Sequence, residues 1–250
     1  MAYPQRVPTA RILEKLDEHF ARNDAPAAKR HLLYWLAEAE ALGDRQGQLL
    51  LCNELMGLFR KQGDEPQATA YALRALDLTD TLDIGDTVGA ATTFLNAATV
   101  HKAFGRSGEA LPLYARAKAI YERDLDPADQ RLGGLYNNMA LALVDEGRFD
   151  EADRCYRQAL AVMRKSPPEM AITYLNMASA AEQQDGLEQA DGTIAAYLRL
   201  AAEQLDAVAD RTDGDYAFAC EKCATVFGYY GHFAYENELK ERCRRIYERP

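Results

Sequence analysis

The sequence repeats itself at a fixed step, and this internal similarity limits the chain to folds built from copies of one element. Three segments align without gaps: MGLFRKQGDEPQATAYALRAL, AATVHKAFGRSGEALPLYARAK and MALALVDEGRFDEADRCYRQAL. The members that share a step of 42 residues are Gly63, Gly105 and Gly147, then Ala68, Ala110 and Ala152, and then Ala75, Ala117 and Ala159. Another copy follows 38 residues later. A repeat of this length predicts stacked elements that bury a shared core.

Each repeat has the hydrophobic spacing of two helices separated by a turn. In the third segment apolar residues recur at steps of three and four on both sides of Gly147: Tyr136, Met139, Ala140 and Leu143 before it, and Ala152, Tyr156 and Ala159 after it. The repeated alanines favour close crossing of helices, because a larger side chain would push the axes apart. No alternating run of β-branched residues indicates a strand. We therefore predict an all-α fold.

Two degenerate repeats flank the four clear ones, which gives six predicted helix pairs in a single domain over residues 1–250. Their approximate ranges are 9–43, 44–83, 86–125, 127–166, 168–209 and 213–249. We expect Pro26, Pro66 and Pro127 at helix starts, where a missing N–H costs little. Pro167 and Pro168 separate the fourth repeat from the fifth.

The repeat resembles the tetratricopeptide repeat in its small residue before the turn, its turn glycine, and the spacing of Ala110, Tyr114 and Ala117. The step of 42 exceeds the usual value of about 34, and Phe94 and Tyr136 stand where tryptophan is typical. The segment EALPLYARAKAIYE, with its proline at Pro112, is similar to the kinesin light chain subtype. The resemblance implies a right-handed superhelical solenoid of about six antiparallel helix pairs, with the first helix of each pair lining a concave groove.

Composition and charge exclude several functions. The net charge of −10 disfavours nucleic acid as a partner, since phosphates require a basic surface. No apolar run approaches the roughly 18–20 residues of a membrane span, and MAYPQRVPTARILEKLDEHF lacks the apolar core of a signal peptide. Five cysteines are too few and too unevenly spaced for a disulfide framework. We expect a cytoplasmic protein with reduced thiols and no membrane partner.

No pattern in the sequence predicts catalysis, a cofactor or a metal. The glycine-rich phosphate loop, the dinucleotide fingerprint and the nucleophile elbow are all missing from the sequence. Cys220, Cys223, His232 and Cys243 have the residue types of a zinc site, but we expect the three thiols to fill core positions of the last repeat. His101 replaces an apolar residue of the other repeats, and we expect it to be a packed, hydrogen-bonded core histidine.

A row of asparagines is the main candidate site. Asn96, Asn138 and Asn176 share one register in consecutive repeats, joined by Asn137 and by Asn53 one residue out of register. An asparagine side chain has both a donor and an acceptor and can bracket a peptide backbone amide. In related repeat proteins such a ladder holds the main chain of the ligand. The alternative is that these side chains bond neighbouring helices.

Charged residues flank the asparagines on the same side of the repeats. Arg60, Lys61 and Lys102 fall on the inner side of the N-terminal half, and Asp145 and Glu182 take similar places further on. This polarity would orient an extended ligand with its acidic end towards the N-terminal half. The alternative is an ordinary solvated helix face.

We predict a non-enzymatic protein–protein interaction scaffold that binds a peptide or a partner segment. The alternative is a peptide-sensing regulator whose superhelix changes pitch, although the chain leaves no room for an output domain ahead of its first repeat. The charged last helix is expected to be a polar end cap. Its alternative is an acidic-partner site. The aromatic residues of the last repeat are expected to belong to the core and the cap, and the alternative for part of them is a homodimer contact. The arginines of the acidic-partner site would be Arg242, Arg244, Arg245 and Arg249.

Overall fold

The structure, a computed structural model, describes residues 6–22 and 24–248. These residues form twelve α-helices and no strand, which confirms the prediction of an all-α repeat fold. The helices are α1 (Thr9–Ala21), α2 (Ala25–Ala41), α3 (Arg45–Lys61), α4 (Glu65–Thr81), α5 (Val88–Ala103), α6 (Ser107–Asp124), α7 (Gln130–Asp145), α8 (Phe149–Val162), α9 (Pro167–Asp185), α10 (Leu187–Asp206), α11 (Gly214–Tyr229) and α12 (Phe233–Tyr247). Arg249 lies outside the described residues.

The chain divides into two compact units, Met1–Leu125 and Asp126–Pro250, called here the N-terminal and C-terminal units. Within each unit every odd-numbered helix packs against the helix that follows it. Odd-numbered helices, which are the first helices of the pairs, also contact one another: α3 contacts α5 in the N-terminal unit, and α9 contacts α7 and α11 in the C-terminal unit. That the chain is a single domain and that it winds into a right-handed superhelix both stay predictions.

Local sequence signals explain where the helices begin and end. The side chains of Asp24, Asp44 and Asp64 each accept a hydrogen bond from the backbone N–H three residues further on, which caps a helix start. Gly147 has φ = +70°, a left-handed conformation that ends a helix and that glycine adopts without steric cost. The expectation for Pro127 is wrong, because this residue lies in a turn that precedes the first residue of α7.

The repeated small residues lie in the core, as their spacing predicts. Every member of the two alanine sets is buried, and so are Tyr114 and Tyr156 beside them on the second helices of their pairs. Because alanine leaves room for a close approach, the helices of a pair can bury these large rings between them. Among the described residues, no helix combines the length and the apolar character that crossing a membrane requires.

The last helix pair packs around thiols and one arginine. Cys220, Cys223 and Cys243 are buried free thiols, and within the described part of the chain no cluster of His, Cys, Asp and Glu could hold a metal ion. Arg242 is only 8% exposed and donates hydrogen bonds to the Tyr216 hydroxyl at 3.0 Å and to Asp206 at 2.8 Å. Arg242 therefore ties α12 to α11 and to the end of α10, which contradicts the alternative that it forms part of an exposed site for an acidic partner.

Candidate functional site

Two of the predicted asparagines form a hydrogen-bonded pair in the N-terminal unit. The Asn53 amide nitrogen on α3 donates to the Leu49 carbonyl and to the Thr93 hydroxyl, both at 3.0 Å. A carbonyl can only accept, so this bond fixes the orientation of the Asn53 amide. The Asn53 oxygen then accepts from the amide nitrogen of Asn96 on α5 at 3.0 Å. Asn96 presents its own oxygen with no hydrogen-bond partner among the described residues.

The C-terminal unit contains the equivalent pair. The amide nitrogen of Asn176 on α9 donates to the oxygen of the buried Asn137 on α7 at 3.1 Å. Asn138, the neighbour of Asn137, is half-buried and makes no side-chain hydrogen bond to any described residue. Four of the five asparagines thus tie the first helices of consecutive repeats together, as in the structural alternative. Their role towards a ligand stays a prediction.

An apolar cavity of about 110 Å³ opens between α9 and α11 beside Asn176. Its other lining residues are Ile172, Leu175, Lys222, Cys223 and Val226. The Lys222 ammonium lies 5.2 Å from the centre of the Phe218 ring. Burial raises the pKa of the Cys223 thiol to about 12, so the thiol is an inert part of the wall. The cavity is suited to one aliphatic side chain flanked by polar groups.

The predicted basic residues all lie in the last turn of a first helix. Arg60 and Lys61 end α3, and Lys102 lies in the last turn of α5. Arg60 and Lys102 are half-buried, whereas Lys61 is exposed, with its ammonium 5.4 Å from the centre of the Phe20 ring. Cations in this position interact favourably with the negative end of the helix dipole. Helix stabilisation alone can therefore account for these residue types.

The predicted acidic residues differ in their surroundings. Asp145 is exposed at the end of α7, whereas Glu182 on α9 accepts hydrogen bonds from the hydroxyls of Tyr229 and Tyr230, each at 2.7 Å. Burial and the bond to Glu182 raise the pKa of Tyr230 above its usual value. Glu182 therefore fastens the end of α11 to α9.

Glu54 is a further candidate residue that was not predicted above, and it lies on α3, one repeat step of 42 residues before Asn96. Its carboxylate is half-buried and forms no ion pair or hydrogen bond with any described residue. Burial raises the pKa of Glu54; the charge of Asp17 on α1 raises it further, and the charge of Lys61 opposes both effects. The repeat step would have revealed this position, because it is the one that asparagine fills in the next three repeats.

His101 is buried as expected, but its Nδ1 atom has no hydrogen bond, which corrects the expectation of a hydrogen-bonded histidine. Nδ1 lies 3.2 Å from a carboxylate oxygen of Glu109 without forming a hydrogen bond to it. Burial lowers the pKa of His101, the nearby Arg106 charge lowers it further, and Glu109 partly opposes them. His101 is thus a neutral core residue near pH 7.

Comparisons with known proteins agree with this architecture. A family model described as Tetratricopeptide repeat matches residues 131–203. The TPR-like repeats of a Podosopora anserina protein described as a kinesin light chain have a TM-score of 0.52 at 17% identity, covering 80% of this chain and 94% of that chain. BtubC (BKLC) of P. vanneervenii has a TM-score of 0.58 at 17% identity, covering 90% of each chain. No curated protein sequence matches the chain.

These findings confirm the resemblance drawn from the repeat step. Such repeat folds are typical of scaffolds for protein–protein interaction, because stacked repeats present extended binding surfaces. Residues 131–203 match the tetratricopeptide-repeat model, and the chain is similar in fold to the solved kinesin-light-chain-like repeat structures.

Proposed function

We propose that this protein is a non-enzymatic scaffold that binds a peptide or a partner segment across the first helices of its repeats. The observation that carries the proposal is the apolar cavity between α9 and α11, which has Asn176 in its wall. One apolar side chain of the ligand fills the cavity. The Asn176 oxygen, which no described residue uses, accepts a hydrogen bond from the ligand backbone.

Asn138 contributes a free amide to the same surface of the C-terminal unit, because its side chain makes no hydrogen bond to a described residue. Asn137 accepts a hydrogen bond from the Asn176 amide nitrogen at 3.1 Å and so fixes the orientation of the Asn176 side chain. In the N-terminal unit Asn53 supports Asn96 in the same way, at 3.0 Å. Each unit thus offers an asparagine whose orientation is fixed before the ligand arrives, which reduces the entropic cost of binding.

The remaining predicted site residues belong to the N-terminal unit. Arg60, Lys61 and Lys102 are close to the C-terminal ends of α3 and α5, where they contact an acidic group of the ligand. The net charge of −10 disfavours nucleic acid and anionic membrane surfaces as competing partners. We place the protein in the cytoplasm because its five cysteines are free thiols.

The test is a matched pair of alanine variants in neighbouring residues. Peptides are selected from a random displayed library on the wild-type chain, and their affinities are measured by isothermal titration. Asn138→Ala removes an amide that bonds no described residue, so it leaves the unfolding free energy unchanged and weakens peptide binding at least about 10-fold. Asn137→Ala removes the buried partner of Asn176, so it lowers stability by about 1 kcal/mol.

Equal affinity of wild type and Asn138→Ala for every selected peptide would exclude the asparagine surface as the binding site. A second readout is the replacement of Val226 by Trp, which fills the cavity and abolishes binding of peptides that insert an apolar side chain. Undiminished binding by that variant would contradict the role of the cavity.

A homodimer through the last helix pair belongs to the same proposal. Phe218, Tyr229, Phe233 and Tyr247 are exposed on α11 and α12, at 47–69% of their surface. Light scattering coupled to size exclusion measures the mass directly. Phe218→Ser and Phe233→Ser together shift the protein to a monomer if these rings form the contact, whereas a wild-type monomer at high concentration excludes it.

A further inference from the structure

Two first helices of the N-terminal unit, α3 and α5, carry hydrogen-bond acceptors without a donor partner at the same position of the repeat. The repeat places Glu54 and Asn96 in one register, 42 residues apart. Asn53 binds the amide nitrogen of Asn96, and the Leu49 carbonyl fixes the direction of that bond. The groups left over are the Asn96 oxygen and the Glu54 carboxylate, and both accept hydrogen bonds.

The Glu54 carboxylate has no cationic partner among the described residues. The carboxylate is half-buried, and no described residue bonds it or forms an ion pair with it. Its nearest charges of known influence are Asp17, which repels it, and Lys61, which attracts it without forming a contact within ion-pair distance. A half-buried charge without a partner loses hydration and receives no compensation. A ligand that supplies a cation at this point relieves that cost.

We infer that the N-terminal unit takes a lysine or arginine side chain of the ligand at Glu54, with a neighbouring N–H of the ligand on the Asn96 oxygen. This inference rests on the proposed function and names the chemistry of the partner: a basic peptide segment. The net charge of −10 agrees with a basic partner and draws it towards the chain. The cation at Glu54 is a separate contact from the acidic group at Arg60, Lys61 and Lys102, because those residues lie a turn or more further along α3 and α5.

The test compares three peptides with two charge-neutralising variants. The peptides are acetylated, matched in length, and alternate glycine with lysine, glutamine or glutamate. Glu54→Gln keeps the shape of the side chain and removes its charge. Asp77→Asn is the matched control, because it removes one charge from the exposed side of α4, a second helix of the same unit. Far-UV circular dichroism verifies that both variants are folded.

The wild-type chain binds the lysine peptide at least about 10-fold more tightly than the glutamine peptide, the factor expected for one charge-assisted contact. Glu54→Gln removes most of this preference, and Asp77→Asn retains it. Equal loss in both variants would show that only the net charge matters, and it would overturn the inference. A preference for the glutamate peptide, or no binding of the lysine peptide, would overturn it as well.

Failure of this inference is distinguishable from failure of the proposed function. If selected peptides lose affinity in Asn138→Ala while the lysine preference is missing, the scaffold function stands and the basic partner does not. If Asn138→Ala has no effect while Glu54→Gln abolishes the lysine preference, the basic site of the N-terminal unit stands by itself.

Discussion

Two buried tyrosines at the same repeat position allow a sharp test of how this fold is stabilised. The hydroxyl of Tyr114 on α6 lies 3.2 Å from the Thr99 hydroxyl on α5. Tyr156 on α8 follows one repeat step later, but the residue that corresponds to Thr99 is Leu141. The Tyr156 hydroxyl is therefore buried without a hydrogen bond. Burial also raises the pKa of Tyr156, so the phenol stays neutral. Leu141 has no polar side-chain atom that could bond the hydroxyl.

Removing each hydroxyl is expected to change stability in opposite directions. A buried polar group without a partner costs about 1–3 kcal/mol, so Tyr156→Phe raises the unfolding free energy by about 1 kcal/mol after the small loss of packing volume. Tyr114→Phe loses a bond worth about 0.5–1.5 kcal/mol. Thr99 keeps its bond to the Leu95 carbonyl at 2.8 Å, so no second group is left unsatisfied. The two variants should differ by about 2 kcal/mol.

Urea unfolding followed by circular dichroism measures both variants against the wild type. For a chain of this length a change of 1 kcal/mol corresponds to about 2–4 °C in melting temperature, which gives a second readout. The Leu141→Thr variant is the internal control, because it gives the Tyr156 hydroxyl the same kind of partner that Thr99 gives to Tyr114. In that background Tyr156→Phe becomes destabilising. A lower unfolding free energy for Tyr156→Phe in the wild-type background would refute the reasoning.

Further tests address a buried histidine, two neighbouring helix glycines and a buried thiol. The pKa of His101 in the folded chain lies below its ordinary value of 6.5, so the unfolded chain binds the proton first and the free energy of unfolding falls as the pH drops below about 6.5. This dependence amounts to at most about 1.4 kcal/mol per pH unit, and His101→Phe removes it. Urea titrations at several pH values measure the difference. Gly133→Ala places a Cβ 2.6 Å from the buried Met163 side chain and lowers stability by about 1–3 kcal/mol. Gly134→Ala meets open space and raises stability by about 0.5–1 kcal/mol. Thermal melts should therefore show a lower melting temperature for the first variant and a higher one for the second. The Cys223 thiol, with its pKa of about 12, reacts with iodoacetamide only upon unfolding, and rapid labelling of the native chain would contradict its burial.

The fold was accessible from the sequence because the repeat step reports it directly. Gly147 and the buried alanines recur for steric reasons that act within one helix pair, so their spacing predicts helices and turns without knowledge of neighbours. Pro127 was misplaced because proline fixes only its own backbone angle and suits a turn as well as a helix start.

The candidate site was only partly accessible, because side-chain partners depend on which helices meet. The register of Asn96 and Asn176 was visible, but not that each donates to an asparagine of the preceding repeat. Glu182 was recognised as an acid on the first helices, yet its bonds to Tyr229 and Tyr230 arise from contacts across about 47 residues of sequence. The cavity between α9 and α11 likewise depends on the packing of two separate helices.

The central claim is that the first helices hold another chain through their asparagine amides. The most direct measurement is a titration of the labelled protein with a selected peptide, monitored through the side-chain amide resonances of asparagine by nuclear magnetic resonance. The account predicts that the resonances of Asn138 and Asn176 shift with the peptide while those of glutamines on second helices stay in place. Shifts confined to second helices, with these two resonances unmoved at saturation, would contradict it.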